Sequence, residues 1–284
     1  MPRRVAFLGP AGTYSEEAFL EYVKGESGIS RIACPTLQDI VALIEANKAD
    51  EGVAPIENSI AGTINDIVDS LIAARHVRIT GEVLLPVDIC LIVAPGTKLE
   101  DVRAVRSKAE ALGQCRKFLS ERMPQAKLEP QDSTAGAVAS LADAGGTAAA
   151  LGPKRAAEIN GMQVLEVGVQ DRKNNITRFV VLARGQSPRT GRDKTSIVFD
   201  FDREDAPGLV YAALKPFADR GINLTKIESR PTGARIGVYY FLVDFDGHVD
   251  DENVQGALAE LQRHTSMFKA LGSYPRAAVP AQAR

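Results

Sequence analysis

Two periodic patterns follow one another along this chain, and the change between them near residue 184 constrains its fold more than any other feature. Before that point, short β-branched runs alternate with longer segments whose apolar residues recur at spacings of three and four. This alternation is typical of an α/β layer architecture. The predicted strands of this part are Val5–Leu8, Glu51–Ala54, Ile89–Val93, Ala148–Gly152 and Ile176–Ala183.

The second pattern begins after a polar segment rich in turn formers, which we interpret as a linker at 185–193. Residues 194–274 then predict the order strand, helix, strand, strand, helix, strand, and this βαββαβ order is ferredoxin-like. Residues 275–284 show no periodicity and are predicted to form a flexible tail. We therefore predict two domains, residues 1–184 and 194–274.

Composition argues against several classes of partner. The 34 Lys and Arg residues nearly balance the 36 Asp and Glu residues, so no basic field favours nucleic acid or an anionic membrane. No apolar stretch approaches the roughly 20 residues that span a bilayer. The three cysteines, Cys34, Cys90 and Cys115, form no C-x-x-C pair, which fits a reducing cytoplasm better than a disulfide framework.

Cofactor motifs are missing as well. The histidines, His76, His248 and His264, fall in no metal-ligand spacing, and the sequence suggests no Ser-His-Asp arrangement. The Gly9-x-x-Gly12 spacing matches neither a Walker loop nor the full dinucleotide fingerprint. We therefore predict that the protein uses no metal ion and no organic cofactor.

Four predicted junctions between strands and helices carry small, hydroxylated or glycine-containing loops. Thr13 with Glu16 and Ser107 with Glu110 fit the spacing of a capping box, which satisfies free N–H groups at a helix start. Any one of these caps is ordinary, but several helix starts around one crevice would form a receptor for a small carboxylate. The four junctions are Gly9–Glu16, Pro55–Thr63, Arg106–Ser107 and Asp132–Gly136.

The run from Asp171 to Phe179 is polar and rich in cations, and it opens directly into a predicted strand. Arg178 could hold a carboxylate by a planar two-point contact, and the Thr177 hydroxyl could donate or accept a hydrogen bond. The alternative is a threonine present for its strand propensity and an arginine in solvent. These residues alone do not decide between the two interpretations.

Taken in order along the chain, these segments are similar to the prephenate dehydratase family, and the second domain resembles an ACT domain. Any one matching segment could arise by chance, whereas their order and spacing together are specific. In the first domain the segments are Gly9–Ser15, Pro55–Ser59 with Gly62, Gln114–Cys115, Ser133–Ala135 and Asn175–Phe179. In the second domain they are Pro207–Val210 and Leu224–Pro231.

The resemblance implies a two-lobed catalytic domain like that of periplasmic binding proteins, with the substrate between the lobes. We expect one lobe to contain about 1–76 with 166–184, and the other to contain 77–165. The resemblance also implies a carbon–oxygen lyase of L-phenylalanine biosynthesis. Such an enzyme converts prephenate to phenylpyruvate by loss of carbon dioxide and water, and it needs no cofactor.

The family's threonine in the Thr-Arg-Phe motif, here Thr177, is implied to be catalytic. It would protonate or hydrogen-bond the leaving hydroxyl, and such general-acid help is typically worth about 10²–10⁴-fold. The resemblance implies supporting catalytic roles for Glu57, Asn58 and Ser59. The residues that we expect to bind substrate are Thr13, Ser107, Thr134, Asn175, Arg178 and Phe179.

One segment departs from the family pattern. Relatives usually carry Ser-His-Pro-Gln where this chain has Ser107-Lys-Ala-Glu110. Lys108 keeps positive charge at the histidine position, so we expect anion binding to be preserved. The effect of this change on a histidine-dependent pH profile stays open.

By the same resemblance, we expect L-phenylalanine to bind between two ACT domains and to inhibit the enzyme, which requires a homo-oligomer, either a dimer or a tetramer. Whether phenylalanine inhibits or another amino acid activates stays open on the sequence alone. Helix-start N–H groups would meet its carboxylate, while Glu228 or neighbouring carbonyls would meet its ammonium group. The residues implied for this site are Pro207, Gly208, Leu209, Val210, Asn223, Glu228, Ser229, Arg230 and Pro231.

Two other functions stay open on the sequence alone. Arogenate dehydratase would keep the chemistry, because arogenate carries an amine where prephenate has its side-chain keto group. A non-catalytic amino-acid sensor would use both folds for binding alone, although it would not need the intact Glu57–Ser59 and Thr177–Phe179 segments. The chain contains no chorismate mutase segment and no dehydrogenase fingerprint, so we expect a monofunctional enzyme.

Overall fold

The computed structural model of the chain describes residues 2–201, 206–233 and 236–280, so residues 281–284 of the expected tail lie outside the described residues. The strands are β1 Arg3–Leu8, β2 Ile29–Cys34, β3 Glu51–Asn58, β4 Gly62–Thr63, β5 Val77–Pro86, β6 Cys90–Val93, β7 Ala104–Ser107, β8 Lys127–Pro130, β9 Ala148–Gly152, β10 Gln163–Glu166, β11 Ile176–Arg184, β12 Asp193–Asp200, β13 Leu224–Pro231, β14 Tyr239–Asp246 and β15 Met267–Pro275. The α-helices are α1 Tyr14–Tyr22, α2 Leu37–Glu45, α3 Asn65–Ala73, α4 Ala109–Gln114, α5 Arg116–Arg122, α6 Thr134–Ala139, α7 Lys154–Ile159, α8 Leu209–Asp219 and α9 Glu252–His264.

The first sheet has the strand order β2-β1-β3-β11-β5, and the short strand β4 pairs with β3. β1 runs parallel to β2 and β3, whereas β11 runs antiparallel to β3 and β5. β11 is a return strand, because it enters this sheet after the chain has built a second sheet. That second sheet has the order β10-β6-β9-β7-β8.

The expected two-lobed α/β arrangement is therefore confirmed, but its expected boundaries need correction. We expected residues 77–165 in the second lobe, whereas β5 pairs along its whole length with β11 in the first sheet. We also expected the return segment to begin at residue 166, whereas β10 ends at Glu166 and pairs with β6 in the second sheet. Backbone pairing thus places the two crossings between the lobes after Pro86 and before Ile176.

The helices of the first lobe bury the faces that their periodicity predicts. In α3, Ile67, Val68 and Leu71 are buried, while Ile64 and Ile72 pack at the edge of the same core. Each fully buried aliphatic side chain of this kind contributes about 1.5–3 kcal/mol. None of the helices in the described ranges combines the length and hydropathy of a membrane-spanning segment.

The ACT sheet has the order β13-β14-β12-β15 and follows the predicted βαββαβ chain order, which confirms the ferredoxin-like topology. Helices α8 and α9 cover one face, where Phe199, Phe217 and Phe245 are fully buried. Side chains alternate between the two faces of a strand, so even-numbered residues of β12 and β14 point away from the helices.

The face away from the helices packs directly on the first lobe. Val198, Leu242 and Tyr274 belong to the same buried cluster as Ile79 and other residues of the first sheet. The approach is close at one glycine of β15. A Cβ on Gly272 would lie 2.1 Å from the Ile79 carbonyl oxygen, so only glycine fits there. The ACT sheet is therefore covered by helices on one face and by the first lobe on the other.

Candidate active site

Thr177 and Asn58 face each other across the pair formed by β11 and β3. Asn58 Nδ2 donates hydrogen bonds to Thr177 Oγ1 at 2.9 Å and to Asn175 Oδ1 at 2.7 Å. Thr177 is buried, with 8% of its surface exposed. The structure therefore brings together three residues, Thr177, Asn58 and Asn175, that the sequence predicted for this site.

The hydrogen bonds of the Asn58 amide oxygen fix the orientation of the whole amide group. Asn58 Oδ1 accepts hydrogen bonds from the backbone N–H groups of Ile60 and Ala61 at 3.0 and 2.9 Å. Because only the amide oxygen can accept these bonds, the amino group must point toward Thr177. Thr177 Oγ1 is then an acceptor toward Asn58, so its own proton is available for donation to a ligand.

Ser59 and Gln114 extend this network in two directions. Ser59 Oγ accepts from the Ile176 N–H at 2.9 Å and donates to the Asn174 carbonyl at 3.0 Å, which ties the end of β3 to the start of β11. Asn175 Nδ2 donates to Gln114 Oε1 at 3.1 Å, and Gln114 ends α4 in the second lobe. Gln114 belongs to a segment that resembles the family but had no role predicted from the sequence, and the structure adds it to the site.

A cavity of about 160 Å³ adjoins Gln114. Arg172, whose side chain is exposed, lines this cavity and brings positive charge to it. The cavity thus joins an amide of the network to a cation that could attract an anionic ligand. Its lining residues are Ile60, Gly113, Gln114, Gln170, Asp171 and Arg172.

Arg178 and Glu57 lie opposite each other in the strand register, one residue from Thr177 and Asn58 respectively. Because strand side chains alternate, both residues lie on the face that packs against the ACT domain. Arg178 is 7% exposed, and its nearest carboxylate is Asp244 of β14 at 2.7 Å. The predictions of substrate binding by Arg178 and of a direct catalytic role for Glu57 do not match this placement.

Phe179 returns to the same face as Thr177 but lies in the hydrophobic core. It is 1% exposed and packs in a cluster with Phe7, Phe19 and Val53, between the first sheet and α1. The prediction that Phe179 contacts substrate is therefore corrected, since no part of its ring is available to a ligand.

Of the two predicted capping boxes, the first forms its cap at Thr13 without the reciprocal bond to the Thr13 N–H, and the second is wrong. Thr13 caps α1 and accepts from the Glu16 N–H at 3.3 Å, while the Glu16 carboxylate accepts from the Gly12 N–H at 2.8 Å. Ser107 does not cap α4, because its hydroxyl donates to the Leu151 carbonyl at 2.6 Å between two strands. Lys108 occupies the capping position instead.

Two further predicted residues lie at helix starts of the second lobe. Thr134 is the first residue of α6, and the cap is provided by Ser133, whose Oγ accepts from the Gly136 N–H at 2.9 Å. Lys108 is exposed and pairs with Glu110 at 3.5 Å. The positive charge at the family's histidine position is therefore solvated.

The two lobes touch near the start of α1. A Cβ on Gly12 would lie 3.2 Å from the Cα of Ala156 in α7, and Glu17 Oε1 accepts from the Arg155 N–H at 3.3 Å. Tyr14 donates its hydroxyl proton to the Asp88 carbonyl at 3.0 Å, next to the crossing between the lobes. Burial and nearby acidic groups raise the pKa of Tyr14 well above its ordinary value.

The residues expected to bind phenylalanine divide between the two faces of the ACT sheet. Glu228 bonds to Thr63 and Lys226, and Arg230 pairs with Asp69 of α3 at 2.8 Å, so both side chains face the first lobe. The predicted role of Glu228 in holding the ammonium group does not match this placement, and neither does a direct role for the Arg230 side chain.

The remaining residues of that predicted set lie elsewhere. Gly208 precedes α8 with a φ of 87°, a conformation that favours glycine, and Leu209 and Val210 open the helix. Asn223 donates to Asp246 Oδ2 at 3.1 Å. Ser229 and Pro231 alternate with Glu228 and Arg230 along β13 and are exposed.

The environments of the three cysteines do not favour a nucleophilic thiol. All three are free and buried. Burial raises the pKa of Cys90 to about 11 and that of Cys115 to about 12, so these thiols stay protonated at neutral pH. Within the described ranges, no group of three or more His, Cys, Asp or Glu side chains is placed to hold a metal ion.

Comparison with known proteins assigns families to both parts of the chain. The prephenate dehydratase family model matches residues 5–187, and the ACT domain model matches residues 196–263. A bifunctional chorismate mutase/prephenate dehydratase of Aquifex aeolicus is 39% identical over 274 residues, which cover 96% of this chain and 74% of that protein. A prephenate dehydratase of Mycobacterium tuberculosis is 38% identical over 281 residues, covering 96% and 87%.

Two solved structures match nearly the whole chain. A prephenate dehydratase from Arthrobacter aurescens in complex with L-Phe has a TM-score of 0.87 and 35% identity, covering 99% of this chain and 94% of that one. GqqA, described as a novel type of quorum quenching acylase, has a TM-score of 0.86 and 30% identity, covering 97% and 98%. Because the family model spans well over half of the residues and these relatives are similar from end to end, the chain belongs to the prephenate dehydratase family and carries an ACT domain.

Proposed function

We propose that this chain converts prephenate to phenylpyruvate, with Thr177 as the hydrogen-bond donor to the leaving hydroxyl. The observation that supports this most directly is the bond from Asn58 Nδ2 to Thr177 Oγ1, which leaves the threonine proton available to a ligand. Ser59, Asn175 and Gln114 hold that pair in place. Family membership supports the reaction, and the local geometry supports the roles.

The reaction breaks two bonds at opposite carbons of the prephenate ring. The bond to the ring carboxylate breaks to release carbon dioxide, and its electron pair enters the ring as the carbon–oxygen bond breaks. The hydroxyl leaves with the electrons of that bond and takes up one proton to become water. Because the product ring is aromatic, the main task left to the protein is to stabilise the leaving oxygen.

Thr177 suits this task through orientation more than through acidity. A threonine hydroxyl is a poor acid, so a preorganised hydrogen bond at the developing charge supplies more than full proton transfer. Burial of Thr177 strengthens that bond, because little water competes for it. Arg172 at the cavity wall offers a cation to one carboxylate of the substrate. None of these steps calls for a metal ion or an organic cofactor.

We also propose that L-phenylalanine regulates the enzyme at a site shared by two ACT domains, in a homo-oligomer. Support comes from large apolar residues that remain exposed around the start of α8 and the edge strand β13, namely Val210, Tyr211, Ile227 and Tyr239. An edge strand with exposed apolar side chains beside it favours pairing with another chain. The Arthrobacter aurescens relative was solved with L-Phe. A cytoplasmic location is supported by the three unpaired thiols.

The test is phenylpyruvate formation from prephenate by the purified full chain, measured against an enzyme-free blank. Thr177→Ala should lower kcat by about 10²-fold or more with KM changed less than about threefold, and Thr177→Ser should restore most of the loss. Thr147→Ala, which removes an exposed hydroxyl of the second lobe, is the matched control and should change neither constant.

Three outcomes would count against the proposal. Wild-type turnover by Thr177→Ala would remove that residue from the mechanism. Turnover of arogenate but not prephenate would reassign the substrate. Hydrolysis of an N-acyl amide without dehydration of either compound would place the chain with GqqA, since a shared fold alone does not fix the reaction.

A further inference from the structure

We propose that Arg178 and Glu57 are positioning residues, through which the ACT sheet holds Thr177 and Asn58 in their hydrogen-bonding geometry. The proposal rests on the role of Thr177 given above and goes beyond it. It concerns the face of the first sheet opposite to the candidate active site, where the same two strands meet the ACT domain.

Arg178 reaches both domains with one guanidinium group. Its Nη1 lies 2.7 Å from Asp244 Oδ2 and 3.4 Å from the Tyr274 hydroxyl, both in the ACT sheet. In the first lobe, its Nη1 lies 3.6 Å from Glu82 Oε2 and its Nε lies 3.1 Å from Glu57 Oε2. The Nε contact is an ion pair without the alignment of a hydrogen bond. The shortest contact of Arg178 is therefore the ion pair with Asp244 of the ACT domain, and its guanidinium group donates a hydrogen bond to Tyr274 of the same domain.

Two further strands of the ACT sheet contribute lysines that pair with the carboxylates of Glu82 and Glu57. Lys194 of β12 lies 2.6 Å from Glu82 Oε2, and Lys226 of β13 lies 3.2 Å from Glu57 Oε1. Together with Asp244 of β14 and Tyr274 of β15, every strand of the ACT sheet supplies one partner to this cluster. Glu57 and Arg178 are thus held from the ACT side on both β3 and β11.

Burial makes this cluster hard to separate. The side chain of Glu82 is 2% exposed and that of Arg178 is 9% exposed, so water cannot replace a lost partner. Burial lowers the pKa of Arg178, but the surrounding Asp244, Tyr274, Glu57 and Glu82 raise it by more, and the group stays charged. A buried charge must keep its partners, so β11 and the ACT sheet move together.

The distance from this cluster to the candidate active site is one residue. Glu57 precedes Asn58 on β3, and Arg178 follows Thr177 on β11, so a shift on one face is passed to the other through the shared backbone. Hydrogen bonds weaken steeply when their angle or length changes. A displacement of about 1 Å in a catalytic group can cost about 10²-fold in rate. A small movement of the ACT sheet would therefore change turnover without changing the substrate pocket.

The experiment measures kcat and KM for prephenate with the full chain and no phenylalanine. Asp244→Asn removes the charge that Arg178 contacts most closely, and we expect kcat to fall about tenfold with KM changed less than about threefold. Asp69→Asn is the matched control. It removes an interdomain pair of 2.8 Å, with Arg230, but from α3 and not from a strand of the candidate site. We expect its kcat within about twofold of the unmodified chain.

Two results would overturn the proposal. One is an unchanged kcat in Asp244→Asn, and the other is a raised KM with kcat unchanged, the behaviour of a residue that acts on substrate binding. Thr177→Ala, measured in parallel, separates the two hypotheses. If Thr177→Ala is impaired and Asp244→Asn is not, the present proposal fails alone, whereas an unimpaired Thr177→Ala removes the proposed role of Thr177.

A second variant guards against loss of folding. In the double variant Arg178→Met with Asp244→Leu, Glu82 keeps Lys194 and Glu57 keeps Lys226, so no buried charge loses its last partner. Replacing a buried ion pair by apolar residues is often neutral for stability. We expect a folded protein, shown by an unfolding midpoint close to that of the unmodified chain, with kcat again about tenfold lower. A folded double variant with unchanged kcat would overturn the proposal.

Discussion

The two faces of the first sheet differ in chemistry at the same pair of strands. On one face, Asn58 and Thr177 form a neutral network of amide and hydroxyl groups. On the other, Glu57 and Arg178 join a buried ionic cluster that the ACT sheet completes. A neutral hydroxyl can turn its proton toward a ligand at little cost, whereas a buried charge resists separation from its partners. The difference suggests that neighbouring residues of one motif serve different purposes, reaction on one face and attachment on the other.

The substitution Asn58→Asp should disrupt the neutral hydrogen-bond network and should lower kcat more than any other change considered below. Aspartate has no N–H group to donate, so it would accept the Thr177 proton and withdraw it from the ligand. We expect kcat to fall by about 10²–10³-fold, as when one preorganised donor is lost, with little change in the unfolding midpoint. The matched control is Asn160→Asp in the second lobe, where the amide donates to the Ala156 carbonyl. An Asn58→Asp protein with the kcat of the unmodified chain would contradict the assignment.

Alkaline pH should destabilise the first domain and not the ACT domain through its thiols, because all three cysteines precede the ACT domain. The comparison is then one between the two domains. Cys90 and Cys115 keep their protons up to a pKa of about 11 and about 12, whereas unfolded thiols ionise near 8.5. Above about pH 8.5 the unfolded state loses protons that the folded state retains, so the free energy of unfolding falls as pH rises. We expect a loss of about 1 kcal/mol for each thiol at pH 9.5.

Urea titrations at pH 7.5 and 9.5 measure this loss. In the double variant Cys90→Ala with Cys115→Ala, the difference between the two pH values should be smaller than in the unmodified chain. An equal difference would mean that other groups cause the alkaline loss.

Substitution of Lys269 should have the smallest effect on kcat. It tests whether every contact between the ACT domain and the first lobe matters for turnover. Its Nζ donates to the carbonyls of Leu71, Ile72 and Ala74 at the end of α3, away from β11. A cation at a helix C-terminus contributes about 1 kcal/mol. We expect Lys269→Met to lower the free energy of unfolding by about that amount and to leave kcat unchanged. Lys215→Met, on the exposed surface of α8, is the control for a lost surface cation. A large fall in kcat in Lys269→Met would mean that the ACT domain influences turnover through contacts other than those of Arg178.

Much of the fold was predictable from the sequence, because its signals are local. The burial of Ile67, Val68 and Leu71 follows from helical spacing, and the order of the ACT elements follows from the alternation of periods. The boundary of the first lobe was not predictable in this way. Whether β5 joins β11 or the second sheet depends on long-range pairing, and an apolar alternating strand suits either neighbour.

The candidate site was predictable in part. Thr177, Asn58 and Asn175 were expected and lie together. Glu57, Arg178 and Phe179 were expected at the same site, although the period of two in a strand separates neighbours onto opposite faces. This period of two could therefore have placed Arg178 and Glu57 on the face opposite to Thr177 and Asn58.

Ser107 is a different case from Glu57 and Arg178. Its spacing with Glu110 suits a cap, but its hydroxyl instead bonds to the Leu151 carbonyl on the adjacent buried strand β9. Only the tertiary structure reveals that competing partner, so no pattern around Ser107 could have excluded the cap.

The most direct test of the difference between the two faces is the steady-state kinetics of Arg178→Lys with prephenate. Lysine keeps the charge but loses the planar fork, so an arginine that binds the substrate carboxylate would show a raised KM. Arg178 lies against Asp244 instead, so we predict a lower kcat, by about fivefold to tenfold, with KM within about threefold of its original value. A raised KM with an unchanged kcat would contradict the account and return Arg178 to the substrate site.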